Sequence, residues 1–286
     1  MTIKKVTGLV ILGATLFGLA LVMGGCGSSY WDEVIYTKPN WTPEGLIYAT
    51  KTVYHHREYG MGTNEYLGED TYYVTMDTDG NNETATAYDS YPYYSPKGTY
   101  VAFISGETIK IVRRTDNQQI YVFSPVTENI SQLDWGPDED KLVYVTSNNN
   151  TFSIRIDGTN NTHIYDNSLS AIWVNTNTIA FEDKSSTEGI SLSVISENGA
   201  NYKKLRIGYS LQKHSENQIF YNFGEDIRVI NLDGTNDLLL FSSYKKSEPK
   251  LSPDKLFVVG GKGYDTTGNG GIWIINIDGT NLKQLK

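Results

Sequence analysis

The feature that most constrains this chain is a repeat of about 40 residues. Turn motifs recur as MDTDGNN, RIDGTNN, SENGAN, NLDGTN and NIDGTN, with glycines at 80, 158, 199, 234 and 279. A degenerate copy, RTDNQQ, puts Asn117 in the longest gap, and successive copies then lie 37, 41, 41, 35 and 45 residues apart. A second series runs out of phase with the first: WTPEG from Trp41, YSPKG from Tyr94, WGPDED from Trp135, WVNTNT from Trp173, HSENQ from His214 and LSPDK from Leu251. Two motif series sharing one period define six structural units that must stack to bury a common core.

Each unit reads as strands. Short apolar runs follow the second series (LIYAT, YVAFIS, KLVYVT, TIAFED, QIFYNF, KLFVVG), and another run leads into each turn (TYYVTM, TIKIVR, TFSIRI, ISLSVI, DIRVIN, GIWIIN). Runs of four to seven apolar and β-branched residues between Asn-Gly or Asp-Gly turns are strands joined by hairpins that need positive φ. A weaker strand after each turn and a stretch before each Pro motif bring the count to four per unit. Aromatic residues at 12% and 27 glycines suit that reading. The expected architecture is an all-β, six-bladed β-propeller of four-stranded antiparallel blades over residues 41–286. The run EVIYT, Glu33 to Thr37, is an additional strand that is expected to latch onto the last blade.

The aromatic-Ser-Pro segments YSPKGTYVAF and LSPDKLFVV, with GIWIINIDGTNLKQL at the C-terminal end, resemble the WD-like repeat of the TolB-type β-propellers of the bacterial cell envelope. The resemblance covers roughly Trp41 to Lys286, and the fourth and fifth units lack the Ser-Pro pair. It implies a propeller that binds a protein or peptide partner as a scaffold or adaptor. Some TolB-like propellers are lyases with several histidines around a metal, and others are fused to a serine-hydrolase domain. Neither constellation is apparent here, since no G-x-S-x-G elbow occurs. Only about 15 residues separate Cys26 from the first unit, so the N-terminal α/β domain of TolB itself is not expected.

The N-terminus carries a different signal. Lys4 and Lys5, an apolar run from Val6 to Met23, two glycines and Cys26 form a secretory leader. A small residue directly before a cysteine is the mark of a lipobox, so residues 1–25 are expected to be removed and Cys26 acylated. Met23 occupies a position where Leu is usual. An uncleaved membrane helix is the other reading of this run. Either places the domain outside the cytoplasm, on the periplasmic side or at the cell surface, with residues 26–40 as a tether. Cys26 is the sole cysteine, so neither an internal disulfide nor a thiolate zinc site is expected. Formal charge is −9, and loss of Lys4 and Lys5 takes it to −11, which argues against nucleic acid as a partner.

Candidate chemistry is sparse. Asp77, Asp79, Asn81 and Glu83 alternate in a way that invites Ca2+, but they lack the spacing of a bidentate Glu and occupy a turn that recurs in every unit. His163 and His214 suit surface or packing roles. His55 and His56 are adjacent and would point to opposite faces of a strand. No catalytic residue, metal or cofactor is therefore expected. The rival reading is a carbohydrate-active or metal-dependent enzyme using His55, His56 and Glu58, and a small-ligand sensor is a third. The first unit is longer than the others by a Tyr-rich segment, TVYHHREYGMGTNEYLGEDT, and the last carries GGKGYDTTGNGG. Two loops, side by side where the ring closes, would then present Tyr54, His55, His56, Tyr59, Tyr66 and Tyr264 as a partner-binding patch.

Overall fold

The computed structural model describes residues 28–59, 63–185, 187–242, 247–262 and 271–286. The leader, Cys26 and Tyr264 lie outside the described residues. Within them the chain is all-β, without a helix, and forms six four-stranded sheets, each a meander in sequence order.

The first sheet comprises β1 (Ser29–Trp41), β2 (Ile47–Tyr59), β3 (Thr63–Met76) and β4 (Thr84–Ala85). The second has β5 (Tyr93–Tyr94), β6 (Tyr100–Ser105), β7 (Thr108–Arg113) and β8 (Gln118–Phe123). In the third are β9 (Ile130–Trp135), β10 (Lys141–Thr146), β11 (Thr151–Arg155) and β12 (Thr162–Tyr165). The fourth holds β13 (Ser168–Asn175), β14 (Thr178–Asp183), β15 (Ser191–Ser196) and β16 (Lys203–Ile207). The fifth holds β17 (Tyr209–Ser215), β18 (Gln218–Phe223), β19 (Asp226–Asn231) and β20 (Leu238–Phe241). Finally come β21 (Ser247–Leu251), β22 (Phe257–Lys262), β23 (Gly271–Asn276) and β24 (Lys283–Gln284). All pairings within the sheets are antiparallel.

The sheets are blades that bury both faces against their neighbours, so the second strands are apolar almost throughout rather than alternating: Leu142 to Thr146 and Ile179 to Asp183 are buried without a break. One apolar cluster joins the second blade to the third through Ile109, Leu133 and Tyr144. Others join the third to the fourth (Val143, Trp173, Phe181), the fourth to the fifth (Leu192, Leu211, Tyr221) and the fifth to the sixth (Phe220, Phe241, Ile275). Between the first and second blades the filling is tyrosine, with Tyr48 edge-on to Tyr91 and Tyr94 at 5.5 and 6.1 Å.

Closure joins the ends of the chain. Trp41, Ile47 and Met76 of the first blade pack with Ile272, Ile274 and Leu285 of the last. Trp41 Nε1 donates to Lys250 O at 2.9 Å, and Lys283 reaches Asp79 at 2.8 Å. The ring is thus shut by side chains, and among the described residues no strand is exchanged between the first and last sheets.

The turn glycines do two jobs. Gly279 has φ +82°, and a Cβ there would lie 2.5 Å from Phe241 Cβ of the preceding blade. Gly158 (φ +82°) is held likewise, 3.0 Å from Phe123. Positive φ and close approach together select glycine. The degenerate Asn117 keeps the conformation at φ +53°, where Asn is tolerated.

Two expectations change. Glu33–Thr37 does not latch onto the last blade: it lies inside β1 and pairs residue by residue with β2, from Glu33 opposite Tyr54 to Thr37 opposite Thr50. The tether assigned to residues 26–40 therefore gives way from Ser29 onward to the innermost strand of the first blade. The long segment of the first unit is also not a loop. It extends β2 and β3 to 13 and 14 residues, against five to eight in the inner and middle strands of the third to sixth blades, because its alternating side chains continue the ladder and β1 is long enough to pair with it.

Candidate functional site

Two regions stand out: an arm built from β1–β3, and the channel enclosed by the ring.

The arm is the outer part of the three long strands, roughly 28–34, 54–59 and 63–70, and about 20 Å long at 3.3 Å per residue. Burial ends where it leaves the ring: β2 reads buried at Ile47–Ala49 and is exposed by Glu58. Register places Trp31, His56 and Tyr66 abreast, with Glu33, Tyr54 and Glu69 in the next row. Trp31 stacks on His56 at 4.1 Å, and Tyr66 lies 5.9 Å from His56 and 6.3 Å from Tyr54. This face carries Glu33, Glu58 and Glu69 and has no Lys or Arg. Trp31 and Tyr66 are 40% and 55% exposed.

The opposite face is a set of closed pairs. His55 bridges the three strands, with Nδ1 2.8 Å from Asp32 and Nε2 3.2 Å from Asp70. Hydrogen bonds to Asp32 and then Asp70 raise its pKa above the ordinary 6.5. Arg57 lies over the Tyr30 ring at 4.9 Å and donates to Tyr59 Oη, which donates to Glu65 at 2.5 Å.

The sequence-derived patch is therefore split. Tyr54, His56 and Tyr66 share one face, His55 and Tyr59 occupy the other, and Tyr264 is outside the described residues. Trp31 and Glu33 were missed because EVIYT was read apart from the first blade. Glu58, the acid grouped with the histidines, shares a face with His56 and accepts from Ser29. Among the described residues no three His, Cys, Asp or Glu come together to hold a metal. In the turn that invited Ca2+, Asp77 Oδ1 instead accepts the amides of Asp79 and Asn81, and Glu83 holds Lys51 and Tyr36, each at 2.7 Å. His163 pairs with Asp166 at 2.8 Å at the edge of the third blade.

The channel is lined by the inner strands of all six blades and encloses about 560 Å3. A second cavity of about 370 Å3 forms its mouth, where the Pro motifs converge: Pro43, Pro96, Pro137 and Pro253 ring it with Trp135 and His214. Burial lowers the pKa of His214. Inner strands expose amide edges to the channel, and side chains from the adjacent blade cap them. Asp134 accepts from Trp173 N at 2.9 Å, Gln132 from Ala171 N at 3.1 Å, Glu182 from Leu211 N at 3.2 Å and Gln212 from Leu251 N at 2.9 Å. Burial pushes the Asp134 carboxyl up to about 6, opposed by the amides of Trp173 and Trp135 and by Lys250 and Lys213.

The fold has known counterparts. A manganese complex of oligogalacturonate lyase superposes with a TM-score of 0.58 at 13% identity, over 88% of this chain and 78% of that one. A putative TolB from Agrobacterium tumefaciens gives 0.56 at 12% identity, over 92% and 90%. Oligogalacturonate lyase from Vibrio parahaemolyticus gives 0.52 at 11%, over 91% and 84%. No family model and no curated protein matches the chain. At these identities the likeness is one of fold: the chain is an all-β propeller similar in architecture both to a TolB-like protein and to a lyase.

Proposed function

We propose that this protein is a non-catalytic, lipid-anchored propeller of the bacterial envelope that binds a protein partner through the Trp31–His56–Tyr66 face of its arm. The observation that carries this reading is the concentration of exposed aromatic side chains on the arm, with Trp31 and Tyr66 on this face and Tyr30, Tyr59 and Tyr72 on the opposite one. Tyr30, Trp31, Tyr59, Tyr66 and Tyr72 all stand exposed on β1–β3, whereas Tyr202, Tyr209 and Phe223 are scattered over the ring. Rigid aromatic contact area with a polar tip is what recognition surfaces use.

Charge narrows the partner. Three carboxylates, of which only Glu33 has a basic side chain beside it on this face, His56 Nε2 at 3.9 Å, favour a basic surface, and exposed rings add cation–π attraction for Lys or Arg. Position narrows it further. Ser29 pairs with Glu58 at the outer end of the arm, and three residues from Cys26 span at most about 10 Å. An acyl chain on Cys26 would hold the arm's end at the membrane, so the partner is a basic, membrane-proximal segment of an envelope protein.

The test is an in-cell crosslinking comparison of the full chain with a Trp31→Ala/Tyr66→Ala variant that is still acylated. Loss of a defined adduct in the variant supports the reading, and an unchanged adduct pattern overturns it. Catalysis on an acidic carbohydrate is a second reading, favoured by the likeness to oligogalacturonate lyase. The described residues do not form the metal site such a reading would draw on. Depolymerisation of an oligouronate by the metal-supplemented protein would establish it.

A further inference from the structure

We infer that the Trp31 ring and the Glu33 carboxylate form a guanidinium-binding site, which takes an arginine of the partner in preference to a lysine. This rests on the reading of the arm as the recognition surface and names the side chain that surface holds.

The opposite face of the arm shows what an arginine finds on such a ribbon. Tyr30, Arg57 and Glu65 stand abreast on β1, β2 and β3. The Arg57 guanidinium lies 4.9 Å from the Tyr30 ring centroid and 5.6 Å from that of Tyr59. It donates to Tyr59 Oη at 2.9 Å and lies 3.7 Å from Glu65. A planar cation thus has rings to lie against and oxygens for its fork of donors, whereas an ammonium is a point charge with no plane to stack.

The Trp31 face has the same kinds of group and no arginine of its own. Trp31 stacks one side of its indole on His56, at 4.1 Å and 12° between the ring planes. β1 is the outermost strand of its sheet and pairs with β2 alone. The other side of the indole is therefore turned away from the ribbon, and Trp31 is 40% exposed. Trp is the strongest of the aromatic side chains in holding a cation over its ring. Glu33 lies two residues further along the same face of β1, about 6.6 Å away, within reach of a guanidinium seated on the indole. Its side chain is 39% exposed, and His56 Nε2, at 3.9 Å, makes no hydrogen bond to it. Charge favours a cation throughout. Residues 28–34, 54–59 and 63–70 hold six Asp and Glu against Arg57, so the arm stays negative even with His55 and His56 both protonated.

Calorimetric titration of the full chain with three capped pentapeptides tests the site: Gly-Arg-Gly-Arg-Gly, its lysine counterpart, and the citrulline counterpart, which is planar but uncharged. The arginine peptide should bind about fivefold more tightly than the lysine peptide, and the citrulline peptide should bind most weakly. Trp31→Ala and Glu33→Gln should each weaken the arginine peptide to the level of the lysine peptide with an unchanged melting temperature, while Val122→Ala leaves it intact. Equal affinity for the arginine and lysine peptides, or folded Trp31→Ala and Glu33→Gln variants that bind as the parent does, overturns the inference. Its failure and that of the partner reading are separable. A cellular adduct lost in Trp31→Ala/Tyr66→Ala, together with equal peptide affinities, keeps the partner and removes the arginine site. Arginine-selective binding that depends on Trp31, with an adduct pattern unchanged in that variant, does the reverse.

Discussion

The arm and the ring use the same residue types to opposite ends. In the ring, Tyr and Trp are buried and tied down by hydrogen bonds: Trp135 is 3% exposed and donates from Nε1 to Tyr93 O of the preceding blade at 2.8 Å, and Tyr144 donates to Asn161 of its own blade at 2.8 Å. In the arm, Trp31 and Tyr66 sit on a ribbon only three strands wide and remain 40% and 55% exposed among the described residues. A ribbon of that kind is poorly stable alone, so the ring supplies its stability and the arm supplies surface. The lesson is that a blade can be lengthened outward without disturbing closure, because closure depends on Trp41, Ile47 and Met76 at the ring end of the same strands.

This contrast can be broken first with tryptophan. Trp135→Ala removes a packed ring and an indole hydrogen bond and should cost about 3–5 kcal/mol in urea unfolding. Trp31→Ala should cost less than about 1 kcal/mol. Comparable losses would mean that the arm is part of the cooperative core.

Next in size is the carboxyl of the channel wall. Asp134 has a folded pKa of about 6 against 3.8 unfolded, raised chiefly by burial. For an acid raised in the fold the ionised form is penalised: no penalty exists below the unfolded value, and it grows as pH rises to about 6 and is full above. The groups facing it include Lys213, Lys250 and the Trp173 amide. Asp134→Asn should therefore gain about 1–3 kcal/mol at pH 8 and little at pH 4. A loss at pH 8 would show that the ionised carboxylate stabilises the ring.

A smaller effect separates two buried tyrosines. Tyr48 Oη is buried without a hydrogen-bond partner among the described residues, whereas Tyr144 donates to Asn161. Tyr48→Phe should be neutral or stabilising, and Tyr144→Phe should cost about 1 kcal/mol. Equal losses would point to an unseen partner for Tyr48.

The smallest effect is confined to the arm. His55 gains its two carboxylate partners only when folded, and its raised pKa means that this support is complete below the unfolded value of 6.5 and fades as pH rises through the folded value. Hydrogen-exchange protection factors in β1–β3 should fall between pH 5.5 and 8.5, and His55→Gln should abolish the change. Protection that is flat in the parent protein would remove the bridge from the account.

Much of the ring was legible because it repeats. Six phased motifs reveal a turn held at positive φ, with glycine in five copies and Asn117 in the sixth, and the paired apolar runs reveal the strands. The arm was only partly legible, since an alternating segment such as YHHREY reads as a strand or a Tyr-rich loop until a partner strand is known. That partner, SYWDEV, lies before the first recognisable unit. The channel lining escaped notice for another reason: Lys38, Lys213 and Lys250 stand on different blades, up to 212 positions apart in the chain, and nothing local links them. Asp134 carried a faint signal, a carboxylate between Leu133 and Trp135 in the ISQLDW strand.

The central claim, that the arm is the recognition surface, is tested most directly by placing a photo-crosslinking residue at Trp31, at Tyr66 and at Val122, which is exposed on the second blade, in the acylated protein in its native cell. The account expects one discrete adduct shared by positions 31 and 66 and absent at 122, containing a protein with a basic membrane-proximal segment. Lipid-only adducts at 31 and 66, or the same protein adducts at all three positions, would contradict it.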